Sequence, residues 1–196
     1  MTAVISMLRG VNLGKRRIKM DDLRSLYRSL GFQDPQTYVQ SGNVVFQTSK
    51  TDFPHLTRQI EAAIEKTFGF HSDVILRTTS EMRAVLQNNP FEARKDVEPG
   101  KLLVTFLPRD PGTDIRQRLR SLHCAPDELH CTVRELYIYF PNGMARPKIS
   151  WPALEKILQS TYTGRNWNTV GKLLEMAEGM ETRALPAHNS QNSKLR

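Results

Sequence analysis

Residues 3–8, Ala-Val-Ile-Ser-Met-Leu, are apolar at even and odd positions alike, with Ser6 the one exception. Side chains alternate between the two faces of a strand, so this pattern suits only a strand covered on both faces. The fold must therefore be layered around it. Leu23, Leu26, Tyr27 and Leu30 follow at helical spacing, Asp21 and Asp22 sit where a helix N-terminus favours negative charge, and Gly31 is a stop. Thr37–Gln47 reads as a hairpin turning at Ser41-Gly42, residues 56–68 as an amphipathic helix, and Val74-Ile75-Leu76 as a strand. Strand, helix, strand, strand, helix, strand is the ferredoxin-like order.

The order then restarts. A short helix at 80–86, with Ser80 as its cap, closes at Asn88-Asn89-Pro90, and the polar stretch 92–100 is a connector. Strand 101–107, helix 114–122, strands 128–133 and 135–140, and helices 152–158 and 167–177 complete the chain, so the second half is expected to end in helix rather than a fourth strand. The expected fold is α+β, with tandem ferredoxin-like (βαββαβ-type) units, antiparallel sheets and extra C-terminal helices. The first unit with its connecting helix spans 1–90, the second 101–178, and 179–196 reads as a flexible tail.

A chain of 196 residues is long enough to bury a core without staples. No apolar run approaches the length needed to span a bilayer, and the apolar start is broken at Arg9, so no signal peptide or membrane role is expected. Two cysteines do not make a disulfide framework, and the expected compartment is the cytoplasm. The net charge of +8 favours nucleic acid, nucleotides or anionic metabolites as partners, although its excess is spread over both halves.

Four stretches carry a resemblance. Leu8-Arg9-Gly10-Val11-Asn12-Leu13-Gly14 with Ile18-Lys19-Met20, Tyr38-Val39-Gln40-Ser41-Gly42-Asn43-Val44-Val45-Phe46, Asn88-Asn89-Pro90-Phe91, and Arg165-Asn166-Trp167-Asn168-Thr169-Val170 occur in that order. Together the chain resembles the family catalogued as domain of unknown function 1697. The resemblance implies tandem ferredoxin-like units with C-terminal helices and no established activity.

The chemistry points first to the loop after the first strand. Its glycines free backbone N–H groups to turn toward a ligand, the next helix adds its N-terminal dipole, and Arg9, Lys15, Arg16, Arg17 and Lys19 add charge, with Asn12 as a polar contact. The loop matches neither the P-loop nor the dinucleotide fingerprint, and a solvated turn would also explain its glycines. Secondary candidates are Gln40, Ser41 and Asn43 at the hairpin tip, also plain turn chemistry, and Arg165, Asn166 and Trp167, also a helix cap and anchor. His130 and Cys131 are neighbours on a strand and point to opposite faces, which argues against zinc. No catalytic triad order stands out, and no metal or cofactor is expected. Tyr137 and Tyr139 share a strand face, but the RNA-recognition run of glycines and aromatics is absent. The expected function is a binding module for a phosphate-bearing ligand, RNA or a nucleotide. One alternative is an enzyme on a small anionic metabolite with Arg9 as clamp; another is a non-catalytic subunit.

Overall fold

A computed structural model describes residues 1–14 and 16–184. Its first half runs β1 (Thr2–Leu8), α1 (Met20–Ser29), β2 (Gln33–Tyr38), β3 (Asn43–Thr48), α2 (Phe53–Phe68) and β4 (Val74–Thr78). Helix α3 (Thr79–Gln87) and a 3-10 turn (Pro99–Lys101) lead to β5 (Leu102–Phe106), α4 (Thr113–Arg120), β6 (Glu128–Cys131), β7 (Glu135–Tyr139), α5 (Trp151–Leu158), β8 (Thr163–Asn166) and α6 (Trp167–Ala184). The strands form two four-stranded antiparallel sheets, ordered β2-β3-β1-β4 and β6-β7-β5-β8.

Both central strands are covered on both faces, as their apolar patterns demand. The outer face of the first sheet buries Val4, Leu8, Val44 and Phe46 against Leu23 and Tyr27 of α1 and Leu56, Ile60 and Ile64 of α2. Ser6 is fully buried on that face because its hydroxyl meets the Tyr27 hydroxyl at 2.7 Å. Burial pushes the Tyr27 phenol well above its ordinary range, and the Ser6 contact offsets only part of that. The second sheet packs Leu136, Ile138 and Phe140 on Leu119 and Leu154. The inner faces of the two sheets share one core with Met82 and Val85 of α3 and Val170, Leu173 and Ala177 of α6. Helix α6 touches β1 and β3 of one sheet and β5 and β8 of the other.

Three local expectations need correction. The second half does contain a fourth strand, β8, ahead of its last helix, and it pairs with β5 (Val104 opposite Arg165). Only four residues long, with Gly164 inside it, β8 carries no alternation that sequence could register. Helix α3 is capped by Thr78 rather than Ser80. The Thr78 hydroxyl accepts from the Glu81 amide at 3.1 Å, and Glu81 Oε2 accepts from the Thr78 amide at 2.9 Å, a capping box. Helix α6 continues over residues 179–184, which the sequence reading gave to a flexible tail. The rest of that tail, 185–196, lies outside the described residues, as does Lys15.

Tyr137 and Tyr139 face the inner core, where their hydroxyls donate to the Val85 carbonyl at 2.7 Å and the Asp96 carbonyl at 3.0 Å. They offer no stacking platform for bases. Among the described residues, no helix is long and apolar enough to cross a membrane.

Candidate functional site

The loop between β1 and α1 is pinned at both ends by apolar residues, Val11 and Ile18, each about 5% exposed or less. Gly10, just before Val11, and Asn12 and Gly14, between the two, take left-handed backbone, at φ 67°, 57° and 56°. Asn12 tolerates that conformation because both ends of its side-chain amide are anchored: Nδ2 donates to the Gln40 carbonyl at 2.8 Å, and Oδ1 accepts from the Ile18 amide at 2.9 Å. The loop and the β2–β3 turn thus lie on one rim. Gly42 makes their approach possible, since a Cβ there would sit 2.4 Å from Val11 Cγ2 and 2.8 Å from Leu8 Cβ. The same turn holds Val39 at φ 50°, a costly conformation for a β-branched residue.

On this rim a cleft of about 570 Å³ opens between the loop and the start of α1. Asn12, Arg17, Ile18, Lys19 and Gln40 line it with Met20–Asp22 and Phe68. Helix α1 begins after Lys19, with no side chain capping it. Its first intrahelical bond runs from Leu23 N–H to the Lys19 carbonyl, and the amides of Met20, Asp21 and Asp22 have no partner among the described residues. Asp21 is held by Arg24, so among the described residues the full charges left bordering the cleft are Arg17, Lys19 and Asp22.

The remaining expected site residues go elsewhere. The Arg9 guanidinium lies between Glu155 Oε1 at 3.4 Å and Asp73 Oδ2 at 3.7 Å, 5.0 Å from the Tyr162 ring centroid. Burial, together with the hydrogen bond to Glu155, raises the Tyr162 phenol to about 12. Arg16 sits over Phe70 at 5.8 Å. Ser41 Oγ accepts from Asn43 Nδ2 at 2.8 Å, and Asn43 is fully buried. Asn166 Oδ1 accepts from the Asn168 amide at 3.0 Å, while Nδ2 donates to the Gly100 carbonyl at 2.8 Å; Trp167 packs on the inner core. Those two therefore cap and anchor α6.

Arg165 is 7% exposed and joins the two sheets. Nε donates to Asn43 Oδ1, Nη1 to Thr163 Oγ1 at 2.7 Å and the Gly164 carbonyl at 2.8 Å, and Nη2 to the Leu8 carbonyl at 2.8 Å and the Ser41 carbonyl at 3.2 Å. Burial lowers its pKa to about 10, which leaves it charged at neutral pH. A second interior arginine, Arg77, follows directly after Val74-Ile75-Leu76, and a single charge at the end of a short apolar run carries no sign of burial in the sequence. It is 2% exposed, donating through Nη2 to Glu135 Oε1 at 3.0 Å and the Leu107 carbonyl at 2.8 Å. Burial pulls its pKa down, partly offset by the Glu135 charge.

A family model described as protein of unknown function (DUF1697) matches residues 1–137. Among solved structures, the conserved bacterial protein SP0830 from Streptococcus pneumoniae is similar, with 22% identity, a TM-score of 0.67, and coverage of 91% of this chain and 99% of that one. At that identity the likeness speaks to the fold. No curated protein matches the chain.

Proposed function

The chain belongs to the DUF1697 family of proteins of unknown function, and from that premise we propose that it is a cytoplasmic binding module for a phosphate-bearing ligand, built from tandem ferredoxin-like units. The repeated element order and the matching strand orders of the two sheets support the tandem reading. The unpaired thiols Cys124 and Cys131 fit a reducing compartment.

The observation that carries the ligand reading is the start of α1, whose three unpartnered amides border a cleft flanked by Arg17 and Lys19. Such amides and the helix dipole favour an anion. The cleft's modest charge suits a nucleotide better than a long RNA: Asp22 offsets part of Arg17 and Lys19, Phe68 supplies an apolar wall, and Gln40 a polar contact. The enzymatic alternative, with Arg9 as clamp, is less well supported because two carboxylates already engage that guanidinium.

Titration calorimetry with adenosine monophosphate and a single-stranded oligonucleotide tests the reading. For the oligonucleotide, two cationic contacts should make log affinity fall against log salt with a slope of about −1.4, taking roughly 0.7 per contact for a single strand. The double variant Arg17→Ala/Lys19→Ala should lose binding. Retained affinity in that variant, or no heat with either probe, would remove the proposal; the latter would favour a subunit that acts through protein contacts.

A further inference from the structure

Strand β4 is the outer strand of its sheet, so one row of its backbone groups faces away from β1. The bond from the Arg9 amide to the Asp73 carbonyl fixes which row. With Met7 opposite Ile75 and Ile5 opposite Arg77, the backbone groups of Ile75 and Arg77 turn toward β1, and those of Val74, Leu76 and Thr78 turn outward. Side chains meet three of these outward groups. Val74 N–H donates to Glu61 Oε1 at 2.9 Å, Thr78 N–H to Glu81 Oε2 at 2.9 Å, and the Leu76 carbonyl accepts from Arg77 Nη1 at 3.0 Å. A peptide strand cannot pair along an edge plugged in this way. Of the three outward N–H groups, Leu76's alone stays without a partner among the described residues.

Leu76 borders a groove of about 660 Å³ between the two halves of the molecule. Phe53, Pro54 and Pro108 give it apolar walls, and Arg58, Arg109 and Arg134 give it charge. The carboxylates nearby are spoken for: Glu81 accepts from Arg134 at 2.6 Å, and Asp110 is held by Arg116. Arg58 and Arg109 are exposed and have no ion-pair partner among the described residues, so they leave the groove with two unmatched positive charges.

We propose that this groove is a second binding site, for a phosphate monoester with a small aromatic or alkyl body. A carboxylate satisfies one arginine, whereas a phosphate dianion has the charge and the oxygens to take both Arg58 and Arg109 and the Leu76 N–H. The apolar walls take the ester group, and the volume falls in the range of small-molecule pockets. The site is distinct from the loop cleft: Phe53 and Phe68 stand at opposite ends of the 16-residue α2, about 22 Å apart at roughly 1.5 Å per residue.

Phenyl phosphate and inorganic phosphate, titrated against the full chain while the Leu76 amide is followed by NMR, test this. Phenyl phosphate should shift that amide saturably and bind at least about tenfold more tightly than inorganic phosphate, since its ring buries apolar surface. Arg58→Ala/Arg109→Ala should weaken binding at least about tenfold with an otherwise native spectrum, because both side chains are exposed. Arg17→Ala/Lys19→Ala should leave this titration unchanged, which separates it from the loop cleft. An unmoved Leu76 amide, equal affinity for the two probes, or full binding by the Arg58→Ala/Arg109→Ala variant would overturn the proposal.

Discussion

The two buried arginines occupy matching places and are satisfied differently. Arg77 lies on β4 opposite Ile5 and reaches the Leu107 carbonyl just past β5; Arg165 lies on β8 opposite Val104 and reaches the Leu8 carbonyl at the end of β1. Each also bonds the first residue of a neighbouring strand in the other sheet. For Arg77 that residue is Glu135, a carboxylate, and for Arg165 it is Asn43, an amide. A buried guanidinium therefore does not need a counter-ion when carbonyls and an amide receive its donors. The consequence is electrostatic. Arg165 leaves an unneutralised positive charge beside Ser41 and Gly42, on the rim that carries the loop cleft, and its field adds to that of Arg17 and Lys19.

Breaking each clasp separates the two designs. Arg77→Met leaves Glu135 largely buried without its partner and should cost about 3–5 kcal/mol in denaturant unfolding, the usual penalty for an orphaned buried charge. Arg165→Met orphans only neutral acceptors and should cost less, about 2–3 kcal/mol. A larger loss for Arg165→Met than for Arg77→Met would contradict the comparison. Glu135→Gln turns the first clasp into the amide type seen at Arg165, so it should cost about 1–2 kcal/mol, well below Arg77→Met.

The smallest effect concerns Glu81, beside the Arg77 clasp. Burial alone would raise its pKa, but the Thr78 amide and Arg134 outweigh it and hold the carboxyl below its ordinary value of 4.5. Its stabilisation is therefore complete above that value and is lost as pH falls through the lower folded-state value. Glu81→Gln, which keeps the capping geometry, should cost less than about 1 kcal/mol at pH 7 because the pair is partly exposed. Unfolding midpoints of the two proteins should converge as pH falls below 4.5 and through the lower folded-state value. A gap that widens on acidification would reverse the assignment.

The layered fold was legible because β1 and β5 announce their double coverage and because helix and hairpin signals are local. Strand β8 was not, since its pairing with β5 depends on residues far away in sequence. The loop's charge was legible, but its availability was not: Asp73 and Glu155, which hold Arg9, stand far along the chain. Asn12 and Asn43 read as ligand contacts because an amide that binds a ligand and one that braces a turn look alike until the partners are known. Arg17, Lys19 and Gln40 survive as a cluster because two local turns meet at Gly42.

The most direct test of the phosphate seat follows the amides of Met20, Asp21 and Asp22 by NMR as adenosine monophosphate is added. The account predicts saturable shifts at all three, abolished in Arg17→Ala/Lys19→Ala. Silent amides at the start of α1, with shifts confined to the surroundings of Arg9 and Glu155, would contradict it.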